Sequence, residues 1–199
     1  MKKKLLIIGD SFASDWTKKY KNEYGWVNML ESDYDVTNIA QAGVSEYKIY
    51  KQLEKIDTTK FNHIIISHTS AYRIPIEEHP IHKDDSLHNN CDIIYSDAKE
   101  HIENPIMKTA VDFYHHIFHS EYFCFVNNLI YKEIYKLTPN AIHITFFDNF
   151  YDHNVLKFED IFLYYKGNVN HLDKNGNKLL YNKMLKILKS KTKNSVTPI

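Results

Sequence analysis

Cysteine is scarce in this chain. Two residues, Cys91 and Cys124, in a length of 199 are too few for the disulfide framework of a small secreted domain. Glycine and proline number five each, which makes each glycine informative. Neither sign of charge predominates: 25 Lys and Arg balance 25 Asp and Glu. A general polyanion-binding surface is therefore not expected, and nucleic acid is not an expected partner. No apolar run approaches the roughly 20 residues that a bilayer requires, so no membrane association is expected. The opening "MKKKLLII" has the basic start of a secretory leader. Its apolar part falls short of the roughly 7–15 residues of a leader core, and no small-residue cleavage site follows. A cytoplasmic protein is expected.

What the chain does have is short β-type runs separated by helical patterns. The runs are "KLLIIG" (4–9), "YDVTNIA" (34–40), "HIIIS" (63–67) and "AIHITFF" (141–147). Continuous apolar runs of this length suit strands covered on both faces. Between them, "YGWVNMLES" brings Trp26, Val27 and Leu30 together. "SEYKIYKQLEKI" places Tyr47, Ile49, Tyr50, Leu53 and Ile56 on a helical stripe behind Ser45 as N-cap. This alternation predicts an α/β domain with a parallel sheet and helical crossovers. Residues 74–105 are polar and without clear period, and are expected to form a long loop excursion beyond the third strand. Residues 106–137 read as one long helix or two, closed by Pro139 and Asn140. A last helix is expected over about 174–189. The whole reads as one domain over 1–190, with a frayed tail over 191–199.

The first run ends in Gly9-Asp10-Ser11. In an open parallel sheet, ligands bind beyond the carboxyl ends of the strands. Ser11 falls there, and Gly9 allows a sharp turn. A hydroxyl beside free N–H donors has half of what acyl transfer needs; the plain alternative is a helix cap. His171, just before the last helix in "NVNHLDKNGNKLL", would lie on the same rim. A serine and a histidine on one rim are what nucleophile activation requires.

These segments together resemble the SGNH or GDSL hydrolases. "GDSFASD" (9–15) is similar to the family block that carries the nucleophile. "NIAQAGVSEY" (38–47) looks like the block whose glycine donates to the oxyanion, here Gly43. "HLDKNGNKLL" (171–180) is similar to the last block. The resemblance implies a three-layer α/β/α sandwich on a five-stranded parallel sheet, a flavodoxin-like arrangement. It implies ester hydrolysis or acyl transfer without a metal or other cofactor. Ser11 would be the nucleophile, His171 the base, and the Ser11 and Gly43 N–H groups the oxyanion donors. The expected partner is a small-molecule or glycan ester carrying a small acyl group such as acetyl. The oligomeric state is left open.

The chain departs from the family pattern twice. Where the family has G-x-N-D after the third strand, this sequence has "HTSAYR". Ser70 then stands in for the asparagine oxyanion donor, and Asp10, His68 and Arg73 are further candidates for substrate contact. In place of the D-x-x-H aspartate stands Asn168. An asparagine can orient an imidazole but supplies no charge. A Ser–His dyad, or recruitment of Asp173, is the alternative. The pair His79 and His82 and the trio His115, His116 and His119 have spacings compatible with a metal, a less favoured route to a hydrolase. A non-catalytic member that binds a glycan or acyl group is the main competing reading.

Overall fold

The computed structural model describes residues 2–21, 24–148 and 154–194. Strand β1 (Lys3–Gly9) is an interior strand of the sheet. Leu5, Leu6, Ile7 and Ile8 are all fully buried, because helices cover both faces of the strand. Each such side chain contributes about 1.5–3 kcal/mol through removal from water. β2 (Tyr34–Asn38) and β3 (His63–His68) flank it, followed by β4 (Ile142–Thr145) and β5 (Val155–Lys157). All neighbours pair in parallel, in the order β2-β1-β3-β4-β5. This is the flavodoxin-like doubly wound order, whose switch point lies between β1 and β3.

Side-chain alternation along the strands sorts the core into two layers. Leu5, Ile7, Ile65, Ile142 and Ile144 pack against α1 (Trp26–Met29), α6 (Glu159–Tyr164) and α7 (Lys174–Asn194). Leu6, Ile8 and Ile66 pack on the other face against α2 (Glu46–Glu54) and α5 (Ser120–Leu137). The result is a three-layer α/β/α sandwich.

Two expectations change and one open reading is resolved. The 74–105 segment is not structureless. It forms an antiparallel bridge, Ile74 to Ile93, and a short helix, α3 (Tyr95–Glu100). Ile93 and Ala98 pack on Met107, Ala110 and Val111 of α4 (Pro105–His116). Its apolar residues meet through folding rather than through a local period. The 106–137 stretch is two helices, α4 and α5; His119 stops the run by accepting the Tyr122 amide on Nδ1 at 3.2 Å. The last helix runs on through Asn194, so residues 191–194 of the expected tail are helical, while 195–199 lie outside the described residues. Strand β6 (Lys166–Val169) stands outside the sheet and leads into the His171 turn. Among the described residues, no helix is long and apolar enough to cross a membrane.

Candidate active site

The turn after β1 is built by close approach. Gly9 has φ +142°, and a Cβ there would fall 2.4 Å from the Ser67 carbonyl oxygen of β3. Only glycine lets the two strands converge at the switch point with this backbone. Gln52 from α2 clamps the glycine, accepting its N–H at 3.0 Å on Oε1. The chain then turns. Asp10 Oδ1 accepts the Phe12 N–H (3.1 Å) and the Ser67 hydroxyl (2.9 Å). Ser11 is buried at the turn and borders a cleft. Its carbonyl is held by Trp16 Nε1 (2.8 Å) and Asn170 Nδ2 (3.3 Å).

His171 reaches Ser11 from the other end of the chain: its Nε2 lies 2.7 Å from Ser11 Oγ. The turn that carries it is strained. Asn170 (φ 50°) and His171 (φ 59°) are both left-handed, a conformation that costs a residue with a side chain of order 1–3 kcal/mol. Asn170 offsets this by tying the turn to the Ser11 loop, donating to Ser14 O at 2.8 Å as well as to Ser11 O. Asn177 supports it from α7, donating to the Val169 and Leu172 carbonyls. Neither asparagine was singled out from the sequence; the local signal was an asparagine beside a histidine in a turn.

Aromatic rings surround the imidazole. Phe12 lies 4.6 Å away centroid to centroid and Trp16 5.5 Å. Burial, reinforced by the charge of Arg73 and by His88, pushes the His171 pKa down to about 4. The ring is therefore neutral at neutral pH, with Nε2 free to take a proton from Ser11.

Ser11 and His171 open into a cleft of about 310 Å³, the lower end of the range for small-molecule sites. Its lining includes the aromatic residues Phe12, Phe147 and Phe162 and the polar residues Arg73, His82, His88, Asp92 and Asp97. Gly43 lines it too. Its φ is +77°, and a Cβ there would strike Cys91 at 2.5 Å. The N–H groups of Ser11 and Gly43 have no acceptor among the described residues, as oxyanion donors require. Cys91 also borders the cleft, but burial pushes its thiol up to about 12, so it remains a thiol rather than a nucleophilic thiolate.

The other sequence candidates fall elsewhere. Asn168 is exposed and borders a separate cavity with Tyr24, Met29 and Lys174. It makes no hydrogen bond to His171, whose Nδ1 has no partner among the described residues. β6 turns the Asn168 side chain outward while Val169 and Asn170 turn in. Asp173 is occupied as well, its Oδ1 accepting the Gly176 amide in the first turn of α7. Ser70 does not line the cleft, and its hydroxyl accepts the Tyr72 amide at 3.2 Å. His68 is fully buried between Glu46 and His143, away from any substrate. Asp10 is fully buried behind Ser11; its Oδ2 has no partner, and burial raises its pKa to about 6 against the opposing pull of Arg73. Arg73 alone of these four borders the cleft.

The histidine spacings also resolve. His79, His82 and Asp97 bring their ligand atoms within 4.8 Å of one another, with Asp97 the third group that spacing alone could not name. His79, however, accepts the Ile81 and His82 amides on Nδ1, at 3.3 and 3.2 Å. Neutral His79 then carries its proton on Nε2, where a metal would need a lone pair. That Nε2 lies 3.1 Å from Asp97 Oδ2, within charge contact but off the line of a hydrogen bond. The donor chemistry favours a histidine–aspartate cluster over a metal centre. The trio 115–119 is dispersed: His115 meets the Tyr95 hydroxyl, and His119 caps α5.

No family model and no curated protein matches this chain, so a functional reading rests on the motifs and on the geometry of this cleft.

Proposed function

We propose that the protein is a serine ester hydrolase or acyltransferase of the SGNH type, working with a Ser11–His171 dyad. Ser11 Oγ attacks the acyl carbon as its proton passes to His171 Nε2. The Ser11 and Gly43 N–H groups hold the oxyanion. The acyl–oxygen bond breaks, and the leaving alcohol takes the proton from His171. Water, or an acceptor alcohol, releases the acyl group by the same steps in reverse. The size of the cleft suits a small acyl group such as acetyl; a carbohydrate alcohol is one acceptor in keeping with the family resemblance.

The observation that carries this reading is the 2.7 Å contact between Ser11 Oγ and His171 Nε2 at the mouth of a cleft, joining residues 160 positions apart. The test is incubation with an active-serine phosphonate probe followed by peptide mapping. Labelling at Ser11 is expected. A folded protein that takes no label would be a binding module instead.

A further inference from the structure

Arg73 borders the cleft from the segment just after β3, and its charge is incompletely matched. The residue is 9% exposed. Its Nε donates to Thr69 Oγ1 at 3.0 Å, which fixes the side chain. Beyond that bond, the guanidinium has no hydrogen-bond or ion-pair partner among the described residues. A buried charge is normally paired, because stripping its water is costly.

None of the nearby carboxylates forms an ion pair with Arg73 among the described residues. Asp92 holds Lys48 at 2.8 Å and accepts the Ser45 and Ile76 amides. Asp10 is bound through Oδ1 to Ser67 and Phe12, and its Oδ2 is buried without a partner. Asp97 faces His79 and His82. Each acts on Arg73 at most from a distance. Arg73 borders the same cleft as Ser11 and His171, and its Nη groups form a planar fork whose shape matches a carboxylate bidentately.

We propose that Arg73 is the anchor for a carboxylate on the substrate, so that the protein acts on compact acidic esters. This rests on the serine-ester reading above and adds the substrate class. The cleft volume of about 310 Å³ is at the lower end of the range for small-molecule sites. It holds an ester and one further group, so the carboxylate lies only a few bonds from the scissile carbonyl. Phe12, Phe147 and Phe162 take the apolar part between them. Anchoring through a group remote from the reacting bond orients the carbonyl for Ser11.

The test uses matched pairs. For a carboxylate on the alcohol side, 4-acetoxybenzoate is compared with its methyl ester. For one on the acyl side, 4-nitrophenyl monosuccinate is compared with its methyl ester. In at least one pair, the acid is expected to have a kcat/KM at least about tenfold higher, the worth of one charge-assisted hydrogen bond. The pair that discriminates identifies the side. Arg73→Gln is expected to collapse that ratio, and Arg73→Lys to restore part of it. Equal rates for acid and methyl ester in both pairs of the unaltered protein overturn the proposal. So does an Arg73→Gln variant that slows both members alike with the ratio intact, which would make Arg73 an oxyanion or folding residue. If Arg73→Gln does not fold, the unaltered-protein ratios still decide. Benzoate binding, read by calorimetry, separates the two readings. Benzoate binding that Arg73→Lys weakens, with no phosphonate label on Ser11, would keep the carboxylate site and overturn the esterase. Labelling without carboxylate preference or benzoate binding would do the opposite.

Discussion

His68 and His171 both sit at the carboxyl edge of the sheet, within buried or aromatic surroundings, and differ in what their ring nitrogens meet. Both nitrogens of His68 are occupied. Nδ1 lies 2.5 Å from Glu46 Oε1 and Nε2 lies 2.9 Å from His143 Nδ1. His143 in turn meets the Thr138 carbonyl through Nε2 at 3.1 Å. Proton counting closes this chain. A carbonyl only accepts, so His143 donates from Nε2 and accepts on Nδ1. His68 must then carry a proton on Nε2, and His68 Nδ1 and Glu46 share one more. Every ring nitrogen has a partner, and the cluster is neutral overall wherever that last proton rests. His171 has the reverse arrangement. One nitrogen meets a hydroxyl at the mouth of a cleft, the other has no partner among the described residues, and no carboxylate is hydrogen-bonded to the ring. A closed network holds a fold in place, whereas an open one leaves a nitrogen able to exchange protons with a ligand.

The sharpest way to break that contrast is to remove the open pair. Ser11→Ala and His171→Ala should each lower phosphonate labelling or ester turnover by at least about 10³-fold, and the double variant should be no slower than the slower single one, because the two act as a unit. Labelling that survives in Ser11→Ala, checked by peptide mapping, would remove the distinction.

The closed network should respond in stability instead. Glu46→Gln leaves His68 without its carboxylate and should cost about 3 kcal/mol, read by urea unfolding. Molecules still folded should label at Ser11 at a rate near that of the unaltered protein. Lost labelling with stability intact would reverse the roles assigned to the two clusters.

Proton affinity offers a third comparison. With its pKa lowered to about 4, His171 should keep the labelling rate flat from neutral pH down to about 5. The rate should fall as the pH passes through about 4, where the imidazolium can no longer accept the serine proton. An acid limb near the ordinary histidine value of about 6.5 would contradict the dry aromatic setting. Stability carries the same sign. The unfolded chain protonates His171 first, so its contribution is full above its unfolded pKa and is lost as the pH falls toward about 4. Asp10 runs the other way: its pKa is raised to about 6, so its contribution is full below its unfolded value and is lost as the pH rises through about 6. Asp10→Asn should remove that second slope from the stability–pH curve.

The smallest effect is expected at Asn168. Asn168→Asp should change turnover by no more than about twofold, as for an exposed substitution worth within about 0.5 kcal/mol. A large gain with an acid limb moved to higher pH would mean that the β6 turn brings this side chain to His171 after all.

Much of this protein was legible in one dimension. The runs at 4–9, 34–40, 63–67 and 141–147 became the four principal strands, because continuous burial on two faces leaves a local apolar signature. Gly9 and Ser11 were legible for a similar reason: a glycine where a strand ends is a local backbone requirement. His171 could be picked out as a residue type, but its contact with Ser11 is made across 160 positions. The orientation of its neighbours was decided by β6, which leaves Asn168 exposed, and by the left-handed turn after it, which buries Asn170 against the Ser11 loop. Arg73 rather than Ser70 borders the cleft because Ser70 closes a local turn, while Thr69 holds the longer side chain inward. The fold class follows from local periodicity. The partners of buried charges and the orientation of turn residues depend on packing between distant segments, and only the tertiary structure decides them.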